Sequence, residues 1–327
     1  MLRLALLVGG LFVLIAIVWH VGPSLILQTA EQLGLLALLI ILLPTVGVYV
    51  LEAYGWHLTL GGYASQVGFA RLFVVRMAGE VINVTTPTGY LGGEPVKAYL
   101  LKRYGVPLVE GMASVVTAKT IMTLAQVLFI LVGIGLMLWV LGGNEYHLVA
   151  ALVSVGVLGF GVLLLVLAQR YGMATGLLTL LRKAHLHIRF LETREAQLLE
   201  LDRTIQNFYT YRRRTFLLAT GTFFLGWMTE SLEVYAILYF LGGNVGILPS
   251  ISIAALAVLI KGGTFFIPGS LGAQEGGYLL LLVGFGYDEV TGITFALIRR
   301  LREVVWIVLG LIFFAFLKWG EPIRAAP

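Results

Sequence analysis

Between Leu33 and Leu58 a single charged side chain, Glu52, interrupts an apolar run, and runs of this kind recur along the chain. About 20 apolar residues are what an α-helix needs to cross a bilayer. A helix satisfies its own backbone N–H and C=O groups in lipid, which a loop or an open sheet edge does not. Repeated runs of helical length therefore dictate an all-α polytopic membrane protein. Composition closes off the alternatives: 12% charged and 59% apolar residues over 327 positions exclude a soluble domain. With no cysteine, disulfides, thiolate metal sites and cysteine nucleophiles are excluded as well. No soluble basic domain is present to bind nucleic acid.

Within the apolar chain one segment occurs twice. Pro87-Thr-Gly-Tyr-Leu-Gly-Gly-Glu94 and Pro268-Gly-Ser-Leu-Gly-Ala-Gln-Glu275 each place a glutamate seven positions after a proline, with glycines between. The offset is 268 − 87 = 181, and 275 − 94 is again 181. It also relates Glu52 to Glu233, Tyr54 to Tyr235, Gly61-Gly62 to Gly242-Gly243, Gly105 to Gly286 and Gly111 to Gly292. Shared apolar composition does not generate matches at Pro, Gly and Glu, so an internal duplication follows, residues 33–121 with 214–302.

Taken in order, the chain reads as one membrane domain. Residues 1–32 hold a retained first helix and an outer loop through Pro23, Ser24 and Glu31. Repeat 1 follows at 33–121, its first crossing interrupted by Pro44. Within it, 66–104 is charged and broken at Pro87, Gly89, Gly92 and Gly93, which predicts two short helices meeting at a glycine-rich tip. Residues 122–213 hold the connecting helices and the basic segment between Arg170 and Arg214. There, Leu191, Leu198, Leu201, Ile205, Phe208 and Tyr209 recur at helical spacing, as in an amphipathic helix lying on the inner leaflet, or a solvated linker helix. Repeat 2 occupies 214–302, with a second broken element around Lys261, Pro268 and Glu275. The end of the last helix and a tail fill 303–327.

Basic loops stay cytoplasmic. If 170–214 lies inside, the first broken element, with five Lys and Arg, hangs from the inner side, and the second, with Lys261 alone, hangs from the outer side. Six spanning helices and two re-entrant helical hairpins then satisfy every loop, with both termini inside a cytoplasmic (inner) membrane. The repeats are expected to be inverted. Inverted repeats with discontinuous helices are a transporter architecture, in which one half rocks against the other around a midplane site.

Charges at that depth are expensive, about 2.5–3.5 kcal/mol or more each if isolated, so they pair or line a cavity. Glu94 and Glu275, at helix breaks, are the candidate functional pair; Glu52 and Glu233, on continuous helices, read as clamps. Lys119 and Arg300 stand at equivalent repeat positions. Arg299 and Glu303, four apart, are placed to pair on one helix face, with Arg302 extending it. Arg300 then points elsewhere, and its guanidinium fork suits a phosphate. The broken tips, through Pro87, Gly92, Gly93, Pro268, Gly269 and Gly272, leave backbone N–H groups of the kind that cradle anions. No H-E-x-x-H, G-x-S-x-G or P-loop pattern is present, so no catalytic residue, metal ligand or cofactor is expected. Paired carboxylates keep a membrane transferase as the enzyme alternative.

Gly92-Gly93-Glu94 with Lys97, and Pro268-Gly269-x-x-Gly272-x-x-Glu275, resemble the paired motifs of the lysylphosphatidylglycerol synthase transmembrane-domain family. The resemblance covers nearly the whole chain. It implies a flippase-like protein whose partners are membrane lipids, with lipid-synthesis enzymes as candidate associates. Relatives are linked to flipping of aminoacylated phosphatidylglycerol, to hopanoid synthesis or to polyprenyl-linked glycan assembly. No aminoacyltransferase domain follows the last apolar run, so lysyl transfer is not among the expectations. The resulting expectation is a translocase for an amphiphile with an anionic headgroup. An accessory subunit or transferase in envelope lipid synthesis ranks second, and a small-solute transporter third.

Overall fold

A computed structural model of the chain describes residues 22–86, 91–142, 145–184, 193–243, 245–264, 267, 270 and 272–317, with a few isolated positions before residue 22. Among them there are helices and no strand. The principal helices are α1 (Pro23–Thr59), α2 (Phe69–Thr85), α3 (Gly93–Leu101), α4 (Leu108–Leu141), α5 (Glu145–Tyr171), α6 (Met173–Lys183), α7 (Glu195–Tyr211), α8 (Arg213–Phe240), α9 (Ile247–Gly263), α10 (Ala273–Gly284) and α11 (Glu289–Phe316). Among the described residues three segments are long and apolar enough to cross a membrane: Glu31–Thr59, Leu108–Val140 and Val153–Tyr171. Helices α8 and α11 have 28 residues each, about 42 Å at the helical rise, but carry buried charges that lower their hydropathy.

Two expectations for the first third need correction. The interval 23–32, read as an outer loop, is helical from Pro23, whose fixed φ suits a helix's first turn. The break comes at Gly34, in a backbone region (φ 74°, ψ 161°) that favours glycine. Pro44, read as an interruption, lies inside the continuing helix. Membrane helices tolerate a proline where neighbouring elements re-satisfy the freed backbone, and α1 packs along α8.

The 181-residue offset runs through the structure. Helix α4 begins at 108 and α11 at 289, and 289 − 108 = 181. Gly61 and Gly242 both have positive φ (58° and 77°), as do Gly105 and Gly286 (80° and 87°). These two identities mark shared backbone geometry, not shared composition. Gly111 lets α4 approach Ala98 on α3, and Gly292 lets α11 approach Leu279 on α10. Positions 98 and 279 differ by 181 too. Helix pairing obeys the same exchange, since α2 packs on α11 and α4 on α9. Both matched helices run past the ends assigned to the repeats from sequence, α4 to Leu141 and α11 to Phe316.

Burial follows this interlocking. One core gathers Leu72, Val75 and Val81 of α2 with Leu100 of α3, and borrows Ile307 and Phe314 from α11. The other gathers Ile253 and Val258 of α9 with Leu282 of α10, and borrows Phe129, Ile130 and Ile134 from α4. Neither repeat closes its core alone. Helix α5 instead leaves Val153, Val157, Phe160 and Leu163 exposed, a lipid-facing surface.

Helix α7 also departs from expectation. Ile205 and Phe208 are buried, with Phe208 in the first core, and α7 packs on α4 and α6. That part of its apolar stripe is covered by protein, while Leu198, Leu201 and Tyr209 are half-buried; Leu191 lies outside the described residues. Two bonds lock the arrangement. Tyr209 donates to Gln169 at 2.7 Å, and Gln169 donates to Thr120. Asp288 caps α11, accepting from Thr291 N at 2.9 Å. Those hydrogen bonds hold its carboxyl below the usual carboxylate range.

Candidate functional site

The first broken element sets α3 against α2 at backbone distance. A Cβ on Gly93 would collide with the carbonyl oxygen of Gly79 and stand 2.8 Å from Asn83 Oδ1. This approach buries Glu94 at the first turn of α3, where the helix dipole favours an anion. Around Glu94 Oε1 stand Asn83 Nδ2 at 2.9 Å, Lys97 Nζ at 3.0 Å and Lys119 Nζ of α4 at 3.7 Å. Asn83 also donates to Glu80 at 3.3 Å, and Lys97 lies 3.8 Å from Glu80. Because the obstacle at Gly93 is backbone, Gly93→Ala forces the helices apart. We expect a loss of about 1–3 kcal/mol, read as a lower melting temperature in detergent. Gly276→Ala, with open space around its Cβ, leaves the melt unchanged or slightly higher.

The second broken element places Glu275 in the first turn of α10. Arg300 of α11 grips it twice, Nε to Oε1 at 2.6 Å and Nη2 to Oε2 at 3.0 Å, the fork geometry of a bidentate pair. Its remaining donors reach Glu303 at 2.7 Å and the Ser270 carbonyl at 3.0 Å. Glu303 also accepts from Lys261 and Gln274, each at 3.1 Å. Ser270 is the one non-glycine at positive φ among the described residues (φ 49°). Its hydroxyl bonds to Thr264, so local strain is held where the chain turns. Gly272, just before α10, also has positive φ (76°).

The clamps differ between the halves. Glu52 pairs with Arg76 of α2, whose guanidinium also lies 4.4 Å from the Tyr49 ring. Glu233, 1% exposed, is held by Arg299 Nε at 3.3 Å, by Arg302, and by Thr45 Oγ1 at 3.2 Å. Arg299 reaches Glu230 as well. The acids are repeat equivalents and their bases are not, since the positions matching Arg76, Arg299 and Arg302 are Ala257, Ala118 and Ile121. Among the ion pairs named here, Glu94 with Lys119 and Glu275 with Arg300 match in both members, 94 + 181 = 275 and 119 + 181 = 300.

Two sequence expectations change here. Arg299 does not pair with Glu303 on its own helix; it turns to α8, where two glutamates offer a better-compensated partner. Glu303 pairs with Arg300, three residues away, and with Lys261. Two backbone N–H groups expected to be free at the first tip are taken as well. Gly93 N donates to Asn83 Oδ1 at 2.7 Å, and Glu94 N donates to Leu91 O at 3.1 Å. A buried N–H is too costly to leave unpaired. Pro87, Pro268 and Gly269 lie outside the described residues; Gly92 precedes α3 and is half-buried. Sequence reasoning did not place Asn83, Gln274 or Ser270 at the site. Their one signal was an uncharged polar side chain in an apolar run.

Two small cavities border these groups. One of about 40 Å³ lies beside Glu52, Arg76, Glu80, Glu94, Lys97 and Lys119. Another, about 60 Å³, lies between the halves beside Tyr49, Glu80, Lys261, Arg302, Glu303 and Trp306. Each has room for a few waters.

A bundle of apolar helices wrapped around a buried, paired array of ionised groups defines a polytopic membrane protein with an internal polar site. The chain belongs to the family described as the lysylphosphatidylglycerol synthase TM region, whose model matches residues 1–311. A relative from Methanothermobacter thermautotrophicus, described as a UPF0104 membrane protein, is 27% identical over 304 residues, covering 88% of this chain and 86% of its own. No solved structure matches.

Proposed function

We propose that this protein moves an amphiphile with an anionic, phosphate-bearing headgroup between the two leaflets. The observation that carries the reading is the matched pair of carboxylate–cation contacts, Glu94–Lys119 and Glu275–Arg300, each beside a break between two helices. A structural clamp needs charge balance anywhere along a helix, as the unmatched bases of Glu52 and Glu233 illustrate. Retention of both members at both breaks fits one site presented by two halves in turn.

In this reading the duplication is inverted, with six spanning helices, two re-entrant hairpins and both termini in the cytoplasm of a cell with an inner membrane. The matched cations differ: Arg300 is 1% exposed, whereas the Lys119 side chain of repeat 1 is 28% exposed and 3.7 Å from Glu94, the looser of the two contacts. A headgroup enters through the looser half, takes Lys119 and Lys97 as counter-ions, and leaves when the halves exchange roles. Its tails stay in the bilayer. Mass spectrometry of lipid extracted with the purified protein tests the substrate class. The expected result is a phosphate-bearing lipid enriched over bulk membrane, and lost in Lys119→Gln; an extract identical to bulk membrane contradicts it.

Topology is checked separately. Cysteines placed at positions 145 and 245 of this cysteine-free chain should react with an impermeant maleimide in intact cells or spheroplasts. One at position 193 should react only after lysis. The opposite pattern reverses the orientation, and labelling of 145 and 245 from opposite sides removes the inverted repeat.

A further inference from the structure

The charges lining the two cavities cancel. Around the cavity beside Glu94, three carboxylates (Glu52, Glu80, Glu94) face three cations (Arg76, Lys97, Lys119). Around the cavity between the halves, Glu80 and Glu303 face Lys261 and Arg302. Every one of these cations is already within ion-pair distance of a carboxylate. An anionic headgroup therefore finds no spare positive charge. It binds by taking a cation from a carboxylate, and a carboxylate stranded at membrane depth is costly unless it is neutralised.

Glu80 is the carboxylate that gives way. Its nearest cation, Lys97, is 3.8 Å away and sits closer, 3.0 Å, to Glu94. Its side chain is 29% exposed, against 10% for Glu94 and 11% for Glu303. It alone lines both cavities. At the 181-residue offset stands Lys261, opposite in charge and lining the same inter-repeat cavity. The groups facing Glu80 are Arg76 and Asn83 of α2, Glu94 and Lys97 of α3, Lys119 of α4, and Tyr49 and Glu52 of α1. From the second half come Lys261 of α9 with Arg302 and Glu303 of α11.

We propose that Glu80 takes up one proton from water when an anionic headgroup draws Lys97 away while Lys119 stays beside Glu94, and releases it on the other side. The protein is then a proton–anionic lipid symporter, and the site's net charge is the same loaded and empty. This rests on the flippase reading above. No other chemistry is required: a proton joins the carboxylate on entry and returns to water on exit.

The test uses the purified full-length protein in phosphatidylcholine vesicles holding a trace of fluorescent phosphatidylglycerol, with leaflet occupancy read by an impermeant quencher. Under a gradient of one pH unit the wild type should enrich the probe in the leaflet facing the alkaline side. The limit is about tenfold for one proton per lipid, since one pH unit is worth a factor of ten. Glu80→Asp, which still titrates, keeps the enrichment, whereas Glu80→Gln reaches a leaflet ratio of one. A wild type that equilibrates the probe but shows no enrichment overturns the coupling and leaves the flippase reading standing. A wild type that never moves the probe overturns both. A Glu80→Gln protein that still enriches the probe moves the proton elsewhere, and one that moves none places Glu80 in headgroup binding; either result refutes the proposal.

Discussion

Glu233→Ala is expected to cost about 3–5 kcal/mol, because removing one partner of a buried ion cluster strands the others. Glu233 is 1% exposed, and Arg299, also 1% exposed, and Arg302 both lean on it. With the carboxylate gone, two guanidiniums share Glu230, one of them at 3.9 Å. The purified protein should melt on the order of 10 °C lower, at about 2–4 °C per kcal/mol. Adding Arg302→Met to Glu233→Ala should recover part of the loss, since an apolar replacement no longer needs a counter-ion. The exposed pair of Arg182 and Glu195, at 2.7 Å, supplies the control. Its breakage should leave the melt where it was, because solvent replaces what is removed. A Glu233→Ala protein as stable as wild type would show that the cluster is not a clamp.

Glu94→Gln and Glu275→Gln should behave in the opposite way. Each amide keeps the shape of the side chain and some of its hydrogen bonds, so folding survives. Transport should fall by about a hundredfold or more in either variant, the factor that about 2.8 kcal/mol makes when one partner of a buried charge pair is removed. Equal losses are the informative part. If access alternates between two halves, a defect in either half stops the cycle, whichever half it lies in. A loss confined to Glu94→Gln would place the whole site in repeat 1. Loss of folded protein in both would make these pairs clamps like Glu233.

The elements were largely legible in the sequence because their signals are local. Apolar length announced α4 and α5, the glycine-rich break separated α2 from α3, and the identities at Gly61 and Gly105 carried over to shared backbone geometry. What the sequence hid was tertiary choice. Nothing in the spacing of Arg299, Arg300, Arg302 and Glu303 says that Arg299 crosses to Glu230 and Glu233 while Arg300 keeps Glu303; that depends on which face of α11 meets α8. The docking of α7 was hidden for the same reason, since a stripe such as Ile205 and Phe208 fits a membrane surface or a protein core equally well. Asn83 escaped notice because it has no counterpart in repeat 2, where Thr264 stands at the matching position.

The central claim is that the matched pairs form one site through which a lipid changes leaflet. Its most direct test is leaflet exchange of labelled anionic lipids in vesicles containing only this protein. Exchange should be far faster than in protein-free vesicles, with every lipid recovered chemically unchanged, and should fall to the protein-free rate for Glu94→Gln and Glu275→Gln. Exchange at the protein-free rate for the wild type across a panel of phosphate-bearing lipids, or covalent conversion of the lipid by the purified protein, would contradict it.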